Sequence, residues 1–450
     1  MRNRFFVTAT MMAAVIVMLA AFGHTPAEGA STPSAKDPIV IVYICDLKSQ
    51  GVPVSWMEVA VKQINESGGI LGREVKFIYE DCKGETTLAV QRYTRALMTH
   101  KATVVGVYPR SEIALACEAK AGELFPEYPH IFLAIDAGAD QITDRVATNY
   151  DKWKFVFRDN CAEPGRARAF LDIVDLFSSL GAKKMALLRE DLMWTEKAFK
   201  GIPATAQCKG LPSMKDRAQQ LGMEVVYEKA LKYRAGMYSP IFEKIAAAGA
   251  DCCVFIASAG NDSDVFVKQW ATSSARDIHM SITAACGSKF WRRTGGQSLG
   301  IVYTWGLEPL LNGSQTPEIP DIYETAKKYK LADLDAAVLF SAYTDMFFIK
   351  KAIEKAGGTD DINALIKAME ETEIVGPMGT LRYQTERIPP FCHSAAFLDP
   401  KDPMKYAERG FRIDTGQFHK GGKVVLLTKP FPGVEGSPSY YKSPAELRKQ

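Results

Sequence analysis

Residues 39–44 read IVIVYI, a run of β-branched and aromatic residues that predicts a strand buried on both faces. An amphipathic helix is predicted over 55–66, and a second strand over 75–79. Strands separated by helices of this length need crossover connections, which favour a parallel sheet with helices on both faces. The pattern continues with helices at 86–100 and 113–124 and strands at 103–107 and 131–135.

A second α/β unit begins near Asn160. Two such units predict two Rossmann-like lobes, with a ligand site where the carboxyl ends of their strands face each other across a cleft. In the last third, glycines at 357 and 358 close a predicted helix over 336–356. The other predicted helices are 166–180, 213–221, 239–248, 264–271 and 362–370, and the other strands are 184–188, 224–227, 252–257, 279–283 and 424–427.

Composition excludes several classes of protein. The chain has 450 residues, 47% of them hydrophobic and 24% charged, which is enough for a sizeable core and argues against disorder. Its 55 basic and 52 acidic side chains leave a formal net charge of +3. No basic run with interleaved aromatics occurs, so nucleic acid is not an expected partner.

The first thirty residues are typical of an export signal. Arg2 and Arg4 precede an apolar stretch over 5–22, and small residues follow up to Ala30. The expected mature protein begins near Ala30 or Ser31 and is periplasmic. An uncleaved membrane anchor is the alternative, since the apolar stretch is just long enough to span a bilayer.

Export would place the cysteines in a compartment that permits disulfides. The odd number, nine, leaves at least one unpaired. A disulfide framework and burial as small hydrophobic residues both stay open. Cys45 and Cys82, each just past a predicted strand end, could meet. The others are Cys117, Cys161, Cys208, Cys252, Cys253, Cys286 and Cys392.

The stretch Ile64–Arg73 reads INESGGILGR, a helix that ends at a paired glycine and returns to a strand at Val75. This phrase resembles type I periplasmic binding proteins of the branched-chain amino acid family. The resemblance continues in order through VVGVYPRS at 104–111 and IVGPMG at 374–379, and covers roughly 37–383, with 385–420 resembling an insertion.

The resemblance implies two hinged lobes joined by three crossings, each lobe built from discontinuous segments. Lobe one would comprise 37–159 and 307–385, and lobe two 160–306 and 386–450. The implied function is that of a solute-binding protein, not an enzyme, which hands a small organic molecule to the membrane permease of an ABC importer. No cofactor and no metal are expected.

The first ligand loop implied by the resemblance contains Tyr108, Pro109, Arg110 and Ser111. The family uses a serine and backbone groups there, and Arg110 occupies or adjoins the serine position. A guanidinium can hold a carboxylate through two hydrogen bonds. Alternatively, Arg110 faces solvent, as most arginines do.

The second implied ligand loop contains Asp136, Ala137 and Gly138, without the threonine of the family. Small residues permit close backbone approach, and Asp136 adds an acceptor for a hydroxyl or an amine. Its alternative role is a helix N-cap before Gln141.

Trp194 falls where the family places an aromatic against the ligand, and Trp56 and Tyr43 are weaker candidates of the same kind. For Trp194 the alternative is a core position. Two further family positions have changed: the expected aromatic falls near Gly260, and the glutamate that receives an α-ammonium falls near Ala284, where nothing is acidic. We therefore expect the solute to be an aromatic or aliphatic carboxylate at least as readily as an amino acid.

Catalytic motifs are scarce. The sequence has no zinc-protease helix, nucleophile elbow, Walker loop or Rossmann glycine fingerprint. Cys392 and His393 form a pair without a second pair at ligand spacing, which indicates a packed loop. A hydrolytic enzyme using strand-end carboxylates such as Asp81, Glu190 or Asp191 is a minor alternative. A sensor that reports to a separate membrane receptor is the other.

Overall fold

The computed structural model describes residues 37–108, 110–258, 261–283, 287–306, 318–331, 339–377, 379–411, 414–428 and 436–449. The expected export signal, at 1–30, lies outside these ranges. The described chain forms two lobes, each built on a largely parallel sheet, which confirms the predicted α/β class. None of the described helices has the length and apolar character needed to cross a membrane.

The first lobe contains strands β1 (Ile39–Cys45), β2 (Val75–Asp81), β3 (Val104–Val107), β4 (Ile131–Ala134) and β5 (Val156–Arg158). They pair in parallel in the order β2-β1-β3-β4-β5. Every residue of β1 is buried, as expected for a strand between two helical layers. The helices that follow these strands are α1 (Leu47–Glu66), α2 (Thr86–Met98), α3 (Ser111–Leu124), α4 (Gln141–Thr148) and α5 (Tyr150–Trp153).

The paired glycine ends α1 as the sequence predicts. Gly69 has a φ of +73°, and its N–H donates to Ile64 O at 2.9 Å. A Cβ at Gly69 would lie 2.0 Å from Arg73 O, so no other residue fits there without movement of the backbone. The helix begins at Leu47, earlier than predicted, because Asp46 caps the N–H of Lys48 at 3.2 Å.

The second lobe carries a larger sheet. Its parallel strands are β6 (Lys184–Glu190), β7 (Glu224–Leu231), β8 (Cys252–Ile256), β9 (His279–Ile282) and β10 (Val302–Gly306). After a separate hairpin, β11 (Glu373–Gly376) and β12 (Gly379–Arg382), the chain returns as β13 (Asp414–Phe418) and β14 (Val424–Leu426). The order in the described chain is β14-β13-β10-β9-β8-β6-β7, with β13 antiparallel to both neighbours.

The first of the remaining helices begins at the first crossing between the lobes. Leu339–Thr344 forms a π-helical turn at the start of the long helix predicted over 336–356, of which residues 336–338 are not described. These helices are α6 (Glu163–Ser179), α7 (Glu196–Lys200), α8 (Met214–Gln220), α9 (Ser239–Ala247), α10 (Ser263–Ala271), α11 (Gly287–Arg293), α12 (Ile322–Tyr329), α13 (Asp345–Ala356), α14 (Ile362–Glu371) and α15 (Pro444–Lys449).

The segment that resembles an insertion packs mainly on the first lobe. Phe391, Phe397 and Phe411 are buried in the core of that lobe, and Ser394 pairs with Arg158 beside the first sheet. We therefore propose that the first lobe extends to about residue 411 instead of ending at 385. The chain then returns to the second lobe at β13. We keep the expected boundary between residues 159 and 160.

The cysteines act as small hydrophobic residues in the described part of the chain. Eight of the nine fall in the described ranges, and all eight are buried and unbonded; Cys286 lies outside. Burial raises the pKa of the Cys45 thiol to about 12, and Cys82 beside it adds to the rise. The Cys45 thiol is therefore protonated and unreactive at neutral pH.

Candidate ligand-binding site

Two loops at the carboxyl edge of the first sheet are joined by Ser111. Its hydroxyl accepts the N–H of Ala139 at 3.1 Å, so the loop after β3 and the loop after β4 hold each other in place. Tyr108 is buried, and its N–H donates to Ile44 O at 3.0 Å. Both predicted residues thus shape this edge, and Ala137 is fully buried behind it.

Asp136 turns its carboxylate toward the second lobe. It has a φ of +52°, and its N–H donates to Asp159 Oδ1 at 2.8 Å. Asp136 Oδ1 accepts from Asn160 Nδ2 at 2.6 Å and from Arg166 Nη2 at 3.0 Å. The N-cap interpretation was wrong, because Asp140 occupies the N-cap of α4 and makes no capping side-chain bond.

Arg166, which the sequence analysis did not single out, connects the two lobes at this point. It lies on α6 with 9% of its surface exposed, and its Nη2 donates to both Asp136 O and Oδ1. A Cβ at Gly138 would lie 2.9 Å from Arg166 Nε, so the glycine makes room for the guanidinium. The only signal in the sequence was an arginine just beyond the predicted crossing at 157–165.

Trp194 lies in the turn after β6, as its placement on a loop predicts. The Cζ atom of Arg166 is 5.4 Å from the centroid of its ring, within the range of a cation–π contact. Trp194 Nε1 donates to Ser258 Oγ at 3.3 Å, and the Trp194 side chain is partly buried against hydrophobic residues of the second lobe. Arg166 therefore brings the loop containing Asp136 and Gly138 together with Trp194.

Arg110 is placed differently. Its side chain is 56% exposed, its Nη1 donates to Gly84 O at 3.1 Å, and its Nε is 3.9 Å from Glu112. These contacts are all within the first lobe, so Arg110 stands at the rim of the carboxyl edge. The structure favours the solvent-facing interpretation for it.

Two other predicted residues lie in the first core, and two more are not described. Trp56 is fully buried in the first core and packs edge-on against Tyr343, with ring centroids 5.3 Å apart. Its assignment to the site was wrong, because a core contact accounts for the whole ring. Tyr43 is likewise buried in that core. Gly260 and Ala284 lie outside the described residues.

Arg158, at the end of β5, supports the second ligand loop from behind. It is completely buried, and its Nη1 donates to Gly138 O at 3.2 Å and to Ala139 O at 2.8 Å. Its Nη2 donates to Thr143 Oγ1 at 2.6 Å and to Pro390 O at 3.1 Å, and its Nε to Ser394 Oγ at 3.1 Å. One guanidinium thus fixes the loop that carries Asp136 against the 385–411 segment.

A second contact between the lobes involves two carboxyl groups. The N–H of Glu163 donates to Asp140 Oδ1 at 3.0 Å, and the N–H of Asp140 donates to Glu163 Oε1 at 3.3 Å. Lys197 on α7 approaches Asp140 Oδ2 at 3.6 Å. Burial raises the pKa of both carboxyl groups, and the charge of Asp140 raises the pKa of Glu163 further, while Lys197 and Arg158 oppose the rise.

This carboxyl pair predicts that stability falls as the pH rises. A group with a raised folded-state pKa binds more protons in the folded than in the unfolded chain, so its contribution is lost above the ordinary carboxyl pKa, near 4.3. The neutral variant Glu163→Gln should therefore lose less stability between pH 5 and pH 8 than the parent, by about 1–2 kcal/mol. Denaturant unfolding at both pH values measures this.

The matched control is Glu123→Gln, whose side chain is 65% exposed. It should follow the pH dependence of the parent. Equal pH dependence in Glu163→Gln and the parent would show that the pair is ionised throughout.

No group of three or more histidine, cysteine or acidic side chains that could hold a metal occurs in the described ranges. His393 is buried and pairs through Nε2 with Glu370 at 2.8 Å and through Nδ1 with Val156 O at 2.9 Å. The Cys392 and His393 pair is thus a packed loop feature, as the spacing indicated.

A family model for periplasmic binding proteins matches residues 54–390, which is most of the chain. The chain belongs to the periplasmic binding protein family. It is a solute-binding protein, and its family is one of binding proteins and not of enzymes. The resemblance stated from the sequence is confirmed.

Similar proteins agree with this assignment. The Leu/Ile/Val-binding protein homolog 3 of Brucella melitensis is 23% identical over 330 residues, covering 72% of this chain and 80% of its own. A solute-binding protein of R. palustris in complex with 4-hydroxybenzoate has a TM-score of 0.67 at 17% identity, covering 90% of this chain and 99% of its own. A leucine-, isoleucine-, valine-, threonine- and alanine-binding protein from Brucella ovis, in a closed conformation, has a TM-score of 0.67 at 16% identity, covering 91% and 96%.

Proposed function

We propose that this solute-binding protein closes around a small organic carboxylate held between the Asp136–Gly138 loop and Trp194. The observation that carries the proposal is the position of Arg166, a largely buried guanidinium that contacts both of these groups. A carboxylate that leaves water needs donors aimed at it, and a guanidinium supplies them in a planar fork. Trp194 offers a flat apolar surface beside it.

The class of solute follows from which charges the site contains. Family members that bind α-amino acids place a glutamate near Ala284, and 283–285 here read TAA. An α-ammonium would lack that counter-charge, whereas an aromatic or aliphatic carboxylate would not need it. The 4-hydroxybenzoate complex of the R. palustris protein supports this class, because that protein shares the fold.

Delivery to a membrane partner completes the proposal. The apolar stretch at 5–22, preceded by two arginines, supports export to the periplasm. There, a closed lobe pair would present the bound solute to the permease of an ABC importer without changing it chemically. Ligand would favour the closed form by its differential affinity for that form.

Thermal-shift measurements with purified protein test the solute class. We expect benzoates and small aliphatic carboxylates to raise the melting temperature, because a ligand that binds only the folded state stabilises it by mass action. Micromolar binding of leucine without any response to carboxylates, measured by calorimetry, would reject the class.

Two variants test the site. Trp194→Ala is expected to abolish the ligand-induced shift while the melting temperature without ligand changes little, since the indole is only partly buried. Arg110→Ala should weaken binding less, because its side chain is 56% exposed at the rim. Loss of the folded state in Trp194→Ala would assign the indole to the core instead.

A further inference from the structure

Glu190, the last residue of β6, places a buried acid at the carboxyl edge of the second sheet. Its surface is 0% exposed. One oxygen, Oε2, accepts the hydroxyl of Ser258. The other, Oε1, has no hydrogen-bond partner among the residues that the structure describes. Because a buried polar atom without a partner is costly, Oε1 indicates a partner beyond the residues that the structure describes.

The indole of Trp194 fixes the direction of one hydrogen bond at Ser258. Trp194 Nε1 donates to Ser258 Oγ at 3.3 Å, and an indole nitrogen can only donate. Ser258 therefore accepts that bond and uses its own hydrogen on Glu190 Oε2. Among the described residues, the hydrogen bonds from Trp194 through Ser258 to Glu190 leave Oε1 without a partner.

This oxygen lies in the neighbourhood where the solute is proposed to bind. Glu190 is connected to Trp194 through the hydroxyl of Ser258. The Cζ atom of Arg166 lies 5.4 Å from the centroid of the Trp194 ring. Arg166 in turn bonds Asp136 of the first lobe. A charged donor, an aromatic ring and a buried carboxyl therefore follow one another across the facing edges of the two lobes.

The surroundings of Glu190 decide which group suits it. Burial raises the pKa of Glu190, although hydrogen bonds from Ser258 oppose the rise. An ammonium would require an ionised carboxylate, which this burial disfavours. A hydroxyl can both donate and accept, so it can satisfy Oε1 in either protonation state.

We propose that Glu190 is a specificity-determining residue that receives a hydroxyl group of the solute at Oε1. The inference rests on the proposed function and narrows its solute class to hydroxy-substituted organic carboxylates. Such a solute would place its carboxylate toward Arg166, its apolar part against Trp194 and its hydroxyl at Glu190.

Calorimetry with matched solutes tests the proposal on the full mature chain. Benzoate is compared with 2-, 3- and 4-hydroxybenzoate, and leucine with its 2-hydroxy analogue. We expect at least one hydroxylated member to bind about tenfold or more tightly than its partner without the hydroxyl, because only the former satisfies Oε1.

Three variants separate recognition from positioning. Glu190→Leu should remove the preference for the hydroxyl, whereas Glu190→Gln should keep most of it, since its amide still reaches both Ser258 and the solute. Ser258→Ala removes the hydrogen-bond acceptor of the Trp194 indole but leaves Glu190 Oε1 in place. The preference for the hydroxylated solute should therefore persist, while the affinity falls for both solutes of a pair. Circular dichroism and melting confirm that each variant is folded.

The outcomes distinguish this inference from the proposed function. If benzoates bind and the hydroxyl makes no difference in the parent, or if Glu190→Leu retains the full preference, the role of Glu190 is overturned and the proposed function stands. If no carboxylate in the panel binds the parent, both are overturned. If Glu190→Leu and Ser258→Ala weaken every solute equally, Glu190 only positions Trp194.

Discussion

Arg166→Met is expected to lower the affinity for carboxylate solutes about 10- to 100-fold. Arg166 is 9% exposed, and its guanidinium holds the carboxylate of Asp136 at 3.0 Å beside the ring of Trp194. A hydrogen bond to a charged group contributes about 1.5–3 kcal/mol, which corresponds to this loss. Methionine keeps much of the volume, so the change removes charge and donors more than packing. Calorimetric titration gives the affinity.

Arg168 provides a matched control on the same helix. Its Nη1 pairs with Asp172 at 2.5 Å, and its Nε donates to Met404 O at 3.0 Å, so the side chain is directed away from Asp136. Arg168→Met should bind solute with the affinity of the parent. If Arg166→Met bound solute with the affinity of the parent, Arg166 and its contacts with Asp136 and Trp194 would not be part of the binding site.

Arg158→Met is expected to destabilise the folded protein by about 3–5 kcal/mol, a range typical of removing one partner from a buried charged network. The carbonyl groups of Gly138, Ala139 and Pro390 would lose donors within 3.2 Å, and each is a costly acceptor to leave unpaired. Arg158→Lys should be nearly as severe, since one ammonium cannot replace the planar fork. Denaturant unfolding measures the free energy.

The control is Arg276→Lys, whose side chain is 59% exposed and 3.8 Å from Asp277. Substitutions at such a surface position usually change stability by less than about 0.5 kcal/mol. If Arg158→Lys were equally mild, the loop carrying Asp136 would be held by something other than the guanidinium. Solute affinity should fall together with stability in the Arg158 variants, because that loop forms one wall of the proposed site.

The strands and helices of both lobes were predictable where the local pattern was strong. The apolar run at 39–44 became a completely buried strand, and the glycine pair after Ile64 ended its helix. The hairpin of β11 and β12 was missed, as were strands β5, β10 and β13. They are short or lie in segments whose apolar residues are mixed with polar ones, and their pairing partners are distant in sequence, as between Val302 and Gln417.

The candidate site was only partly predictable. Trp194 and Asp136 were singled out through the family resemblance, which places both in loops that contact the ligand, and Arg166 brings them together. Arg166 and Arg158 carry no local pattern that separates them from surface charges, and Glu190 stood out only as a carboxylate at a predicted strand end. What distinguishes them is burial, at 9% exposure for Arg166 and 0% for the other two, and burial of a charged side chain depends on contacts made by distant segments.

The sequence by itself determined the two α/β lobes, because periodicity and turn glycines act over a few neighbouring residues, and its resemblance to periplasmic binding proteins implied the binding of a solute. Only the tertiary structure decided which charged groups meet between the lobes. Hydrogen bonds such as that between Asp136 and Arg166, thirty positions apart, exist only after both lobes have folded and the chain has crossed between them.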